Sequence, residues 1–88
     1  MHIDFSKRAQ AQLDALERSA RKLIARRIAM LVSASDFQQI CASMQIRKLH
    51  GVELYRIRIG EWRVLFEHDT GLIYITTVGN RKDVYRDI

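Results

Sequence analysis

Residues 55–66 read YRIRIGEWRVLF, and the bend inside this stretch sets the architecture around it. Gly60-Glu61 puts glycine first, as a two-residue type II′ hairpin turn requires, because that position needs a positive φ. Such a turn opposes Ile59 to Trp62, Arg58 to Arg63, Ile57 to Val64, Arg56 to Leu65 and Tyr55 to Phe66. Side chains alternate across a strand, so Tyr55, Ile57, Ile59, Trp62, Val64 and Phe66 share one face, while Arg56, Arg58, Arg63 and Leu65 share the other. The apolar set is a core face. The arginine set must look away from it.

That arrangement has a cost. Arg58 opposite Arg63 is a like-charge cross-strand pair, which destabilises a sheet by about a few tenths of a kcal/mol. Solvated arginines often lie along apolar neighbours with their methylenes. Guanidinium forks also match phosphate oxygens bidentately, so a bound polyanion would remove the penalty.

Working outward, turn signals at His50-Gly51 and Thr70-Gly71 bound an antiparallel meander from Gln45 onward. A third strand, Leu72 to Val78, is expected to pair back across Thr70-Gly71 and to set Tyr74 and Thr76 on the basic face. Gly79-Asn80 then breaks the strand and turns Arg81 toward the same edge, with Tyr85 shortly after. Before the meander the hydrophobic period is helical. His2 to Phe5 suits a short strand, and Ser6 an N-cap leading into Ala9, Leu13 and Leu16. A second helix follows Ser19, with Leu23, Ile24, Ile28 and Leu31 as its stripe. SASDFQQICASMQ, 33–45, reads as a connection. Helices first and strands second give an α+β fold: a short N-terminal strand, a two-helix hairpin and an antiparallel meander packed on the helices.

The chain has 88 residues, no proline and 48% hydrophobic residues, which suits one domain over 1–88 with a single small core. Fifteen basic residues against ten acidic give a net charge of +5 and an isoelectric point near 9.9, favouring polyanionic partners. The lone Cys41 cannot form an internal disulfide and points to a reducing compartment. The N-terminus lacks the apolar core of a signal peptide and no apolar run approaches membrane-spanning length, so a cytoplasmic protein without membrane contact is expected.

KLHG at 48–51, LYRIRIGEWRVLFE at 54–67 and VGNRKDVYR at 78–86 together resemble the RelE/ParE superfamily of bacterial toxins, and the RelE branch most closely. The resemblance spans nearly the whole chain. It implies a toxin of a type II toxin–antitoxin system: a ribosome-dependent endoribonuclease, or mRNA interferase, that cuts mRNA in the 30S aminoacyl site and is held inactive by a cognate antitoxin. It implies no metal and no other cofactor. The positions matching the RelE catalytic set are Arg56, Arg58, Arg63, Arg81 and Tyr85, with Lys48 and His50 as substrate-binding candidates beside them. In-line attack by a ribose 2′-hydroxyl builds negative charge that guanidiniums can stabilise. By the resemblance, Arg63 and Arg81 hold the scissile phosphate, and Tyr85 stacks on or orients the nucleotide.

One departure matters. The best-known RelE pattern has lysines where this chain has Arg56 and Arg58, one of them suspected as general base. Arginine stays protonated to above about pH 12 and is a poor base. His50, Lys48, Glu53 and His68 are the other candidates, or no dedicated base is present. Two other readings keep the basic face: a ParE-type gyrase-inhibiting toxin, which needs no catalytic set, and a non-catalytic RNA-binding module with strong salt dependence.

Overall fold

The hairpin forms in the expected register, Ile59 with Trp62 through Tyr55 with Phe66. Gly60 at its turn has φ +59°. The computed structural model describes residues 1–86. In chain order the elements are β1 (His2–Phe5), α1 (Lys7–Asp14), α2 (Arg18–Val32), α3 (Phe37–Met44), β2 (Arg47–Lys48), β3 (Tyr55–Ile59), β4 (Trp62–Asp69) and β5 (Leu72–Asn80). The fold is α+β, with one sheet ordered β1-β5-β4-β3-β2.

The strands β2 to β5 form the antiparallel meander, and β1 joins β5 in parallel. The sheet is therefore mixed, and β1 covers β5 only as far as Phe5 opposite Ile75. Beyond that point α1 takes over the open edge. The Ser6 N–H donates to the Ile75 carbonyl at 2.8 Å, Ser6 Oγ to the Thr76 carbonyl at 3.1 Å, and the Val78 N–H to Gln12 Oε1 at 2.8 Å. These contacts satisfy edge groups that would otherwise offer a template for unwanted pairing.

Strand β5 differs from expectation in two ways. It continues through Gly79 to Asn80, which pairs with Trp62, so Gly79-Asn80 does not break it. Its register against β4 also shifts between Leu65 and Phe66, where Thr77 opposes Leu65 but Ile75 opposes Phe66, leaving Thr76 as a bulge. The cause is hydrophobic spacing: Ile73, Ile75 and Val78 are all buried on the core side, and an odd gap of three residues needs one extra residue to restore alternation. Tyr74 lies on the face of the arginines as expected, but Thr77 takes the place expected for Thr76.

The helical half also departs from the simple hairpin. Ser6 caps α1 as read, accepting from the Ala9 N–H at 3.0 Å. The second helix starts before Ser19, because Glu17 is the N-cap and accepts from the Ala20 N–H at 3.2 Å. Its buried stripe is Ala20, Ile24, Ile28 and Leu31, and Leu23 is exposed. The segment 33–45, read as a connection, holds the third helix. Asp36 caps it by accepting from the Gln39 N–H at 3.1 Å, and Gln45 closes it in the left-handed region at φ 55°. Phe37, Ile40, Cys41 and Met44, one helical face, pack on the core.

The core lies between the helices and one face of the sheet, with Ile24, Ile28 and Leu31 against Ile57, Ile59, Val64, Phe66, Ile73, Ile75 and Val78. Tyr55 stacks on Phe66 with centroids 5.4 Å apart, and Phe37 meets both edge-on. Trp62 is only half-buried at the rim, so Phe66, with no exposed surface, is the aromatic anchor. No helix among the described residues is long and apolar enough to cross a membrane.

A candidate nucleic-acid interface on the outer face

Alternation along β3 and β4 carries Arg56, Arg58 and Arg63 to the face of the sheet opposite the core. The short strand β2 adds a fourth cation that sequence reasoning missed. Arg47 pairs with Arg56 and shares its face, so the row Arg47–Arg56–Leu65–Thr77 runs beside the row Arg58–Arg63–Gly79. The signal was available in Ile46-Arg47: a buried isoleucine at 46 sends its neighbour the other way.

The arginines are not all free in solvent. Arg47 and Arg58 are exposed, but Arg56 and Arg63 are half-buried. Arg63 turns its guanidinium back along the hairpin, donating from Nη1 to the carbonyls of Gly60 at 2.6 Å and Trp62 at 2.7 Å. Arg56 Nε is buried with no hydrogen-bond partner among the described residues. An unpaired buried donor is costly to the fold.

Extending β5 to Asn80 delivers Arg81 to the same hairpin turn. The Arg81 N–H donates to the Glu61 carbonyl at 2.8 Å, and Arg81 Nε lies 3.6 Å from a Glu61 carboxylate oxygen. Arg63 and Arg81 thus converge on the Gly60-Glu61 tip. Glu61 is a second residue missed earlier, because only the pairing of Asn80 with Trp62 brings it to Arg81.

The chain then folds back over the outer face. Asn80 caps the turn, its carbonyl accepting from the Asp83 and Val84 N–H groups and its side chain from the Lys82 N–H. Val84 is buried, and a Cβ built on Gly79 would meet Val84 atoms at 3.7–3.8 Å. Gly79 is opposite Arg63, so Val84 packs beside the arginine rows, and the next residue, Tyr85, is half-buried. Leu65 and Val84, buried outside the main core cluster, are the apolar support of this face.

The remaining candidates are elsewhere. Lys48 pairs with Tyr55 and so falls on the core side of its two-residue strand. Its ammonium is 3.0 Å from a Glu53 oxygen, and that hydrogen bond and charge raise its pKa above the usual lysine value. His50 is exposed in the turn after β2. His68 is across the sheet, stacked on Phe37 at 3.6 Å with rings 3° from parallel. Burial pushes the Cys41 thiol up, away from thiolate chemistry. Among the described residues no three His, Cys, Asp or Glu side chains are grouped to hold a metal.

The chain thus combines a sheet with arginine rows on its outer face, helices on its inner face and a folded-back C-terminal turn. Residues 3–85 match the family described as the ParE toxin of the type II toxin–antitoxin system parDE, and the chain belongs to that family, within the RelE/ParE superfamily. Among solved structures, it is similar to the RelB–RelE antitoxin–toxin complex from Methanococcus jannaschii, at 25% identity and TM-score 0.76 over 96% of each chain. The archaeal RelE–RelB complex from Pyrococcus horikoshii OT3 matches at 19% identity and TM-score 0.71, covering 94% of this chain and 97% of that one. The intact E. coli RelBE complex matches at 17% identity and TM-score 0.70, covering 90% and 94%. No curated protein matches the chain.

Proposed function

We propose that this toxin is a ribosome-dependent endoribonuclease of the RelE type, cleaving mRNA in the ribosomal A site with no metal or other cofactor. The observation that carries this reading is the gathering of arginines on one face and at its hairpin tip: Arg56 and Arg58 on β3, Arg63 on β4 and Arg81 after β5. Attack of a 2′-hydroxyl on the adjacent phosphorus forms the O–P bond, breaks the bond to the 5′-oxygen and leaves a 2′,3′-cyclic phosphate. The 2′-hydroxyl gives up its proton, the departing 5′-oxygen takes one up, and one further negative charge develops across the non-bridging phosphoryl oxygens. Arg63, held by Nη1 to the turn carbonyls, and Arg56 and Arg58 on the facing strand would supply the guanidiniums that meet them. Glu61 orients Arg81 toward the same point.

The base stays with the substrate, the ribosome or a residue outside the arginine rows, because arginine does not deprotonate near neutral pH. Lys48 is a poor candidate in the free protein, since Glu53 favours its charged form. The partner that restrains the enzyme is a cognate antitoxin, in keeping with the antitoxin-bound state of the similar RelE structures.

Gyrase inhibition is a second reading, favoured by the ParE description of the matching family. Incubating purified protein with translating ribosomes, and separately with gyrase and DNA, distinguishes the two. Codon-positioned mRNA ends that disappear in Arg63→Ala and Arg81→Ala support the ribonuclease. Intact mRNA together with trapped gyrase–DNA complexes overturns it.

A further inference from the structure

The outer face changes sign along its length. By register its cross-strand rows are His2–Leu72–Asp69, Asp4–Tyr74–Glu67, Thr77–Leu65–Arg56–Arg47 and Gly79–Arg63–Arg58. The first two rows contain three carboxylates and neither lysine nor arginine, and the last two contain four arginines and no acid. Four residues along β4 separate Glu67 from Arg63, which at strand rise is about 13 Å.

The acidic end has a shape as well as a charge. Glu67, Asp69, Leu72 and Tyr74, with His68, line a recess of about 400 Å³. Tyr74 is 37% exposed although it is large and apolar over most of its surface. Asp69 accepts from the Thr70 N–H at 2.7 Å. The Glu67 side chain has no hydrogen bond or ion pair among the described residues. An aromatic face flanked by carboxylates is a seat for an ammonium or guanidinium group.

RNA cannot fill both ends of this face, because every nucleotide brings a phosphate and those over Glu67 and Asp69 would be repelled. A polypeptide can carry both signs. We propose that the outer face docks an extended segment of the antitoxin, acidic where it meets Arg58 and Arg63 and presenting a lysine or arginine side chain to Tyr74, Glu67 and Asp69. RNA uses the arginine rows alone. The acidic end is therefore what lets the antitoxin outcompete RNA for a surface they share, and its chemistry is set by charge complementarity. This rests on the antitoxin partnership proposed above.

The test compares the parent with Glu67→Gln/Asp69→Asn and Glu67→Lys, measuring antitoxin affinity by calorimetry at low and high salt beside ribosome-dependent cleavage. Both positions are exposed, so folding should persist, which circular dichroism checks. The expected result is affinity weakened about tenfold in the double variant and more in Glu67→Lys, with cleavage within twofold of the parent. Antitoxin affinity unchanged in Glu67→Lys overturns the proposal, as does cleavage falling in parallel, which would assign the acidic end to RNA. Loss of a toxin self-dimer in light scattering, with antitoxin binding intact, would assign it to a second copy and also overturn it. A parent that binds no antitoxin at all defeats the partnership itself, an outcome separable from the rest.

Discussion

The two faces of the sheet are built from alternate residues of the same strands yet answer to different demands. The inner face is apolar through its centre: Ile57, Ile59, Val64, Phe66, Ile73, Ile75 and Val78 are all buried against the helices. The outer face sets Arg58 against Arg63 and Arg47 against Arg56, pairs that a sheet built for stability alone would avoid. Its apolar support is small, the buried side chains of Leu65 and Val84. Stability is concentrated on one side and the candidate site on the other, so substitutions on the two faces should separate cleanly.

The largest effect expected is on the inner face. Phe66→Ala removes the fully buried ring that Tyr55 and Phe37 pack against, and should lower unfolding free energy by about 3–5 kcal/mol in a denaturant titration. Trp62→Ala, at the half-buried rim, should cost less. A Trp62 variant as unstable as the Phe66 variant would break the assignment of the anchor. On the outer face the currencies reverse. Arg63→Ala and Arg81→Ala should each reduce cleavage by about 10²–10³-fold, the effect of losing one preorganised donor, while the unfolding midpoint barely moves. Matching losses of stability and cleavage would mean that these arginines support the fold and not the reaction.

The same comparison explains what was legible in the sequence. The hairpin register was readable because its two determinants, a glycine at the turn and strict alternation, are local. The bulge was encoded in the 73, 75, 78 spacing, and the third helix in Asp36 followed by a 37, 40, 41, 44 stripe. The helix was overlooked because Gln, Ala and Ser between its apolar positions resemble loop composition, and the bulge because Tyr74, Thr76 and Thr77 are all good strand residues that mark no irregularity. Other features have no local signal. The parallel pairing of β1 with β5 joins residues about 70 positions apart, and the approach of Arg81 to Glu61 follows from β5 running two residues past its expected end. Of the candidate site, the residues on long strands were visible and Arg47, on a two-residue strand, was not.

A smaller change sharpens the trade-off between the faces. Arg58→Thr replaces one of two opposed cations with a residue of high strand propensity, and should raise stability by about a few tenths of a kcal/mol while lowering cleavage. The gain should shrink in high salt, where like-charge repulsion between exposed groups is screened. An unfolding free energy that falls on this substitution would show that Arg58 supports the sheet, and the separation of faces would fail at that position.

The smallest effect concerns Lys48, which register puts on the inner side although it is exposed. Its pKa is raised, first by the Glu53 hydrogen bond and then by the Glu53 charge. A raised folded-state pKa means that the pair stabilises the fold fully below the ordinary lysine value, with the contribution disappearing as pH rises through the raised one. Glu53→Gln should therefore bring the Lys48 titration, followed by NMR at the side-chain methylene, down toward the ordinary value. Any stability difference from the parent should be flat across neutral pH and vanish in strong alkali. Because a raised pKa opposes proton acceptance near neutrality, the pH profile of cleavage between about pH 6 and 9 should be the same in parent and variant. A profile whose alkaline limb moves with Glu53→Gln would bring Lys48 into the proton transfer, and would join to the reaction a residue that the sheet register separates from the arginine rows.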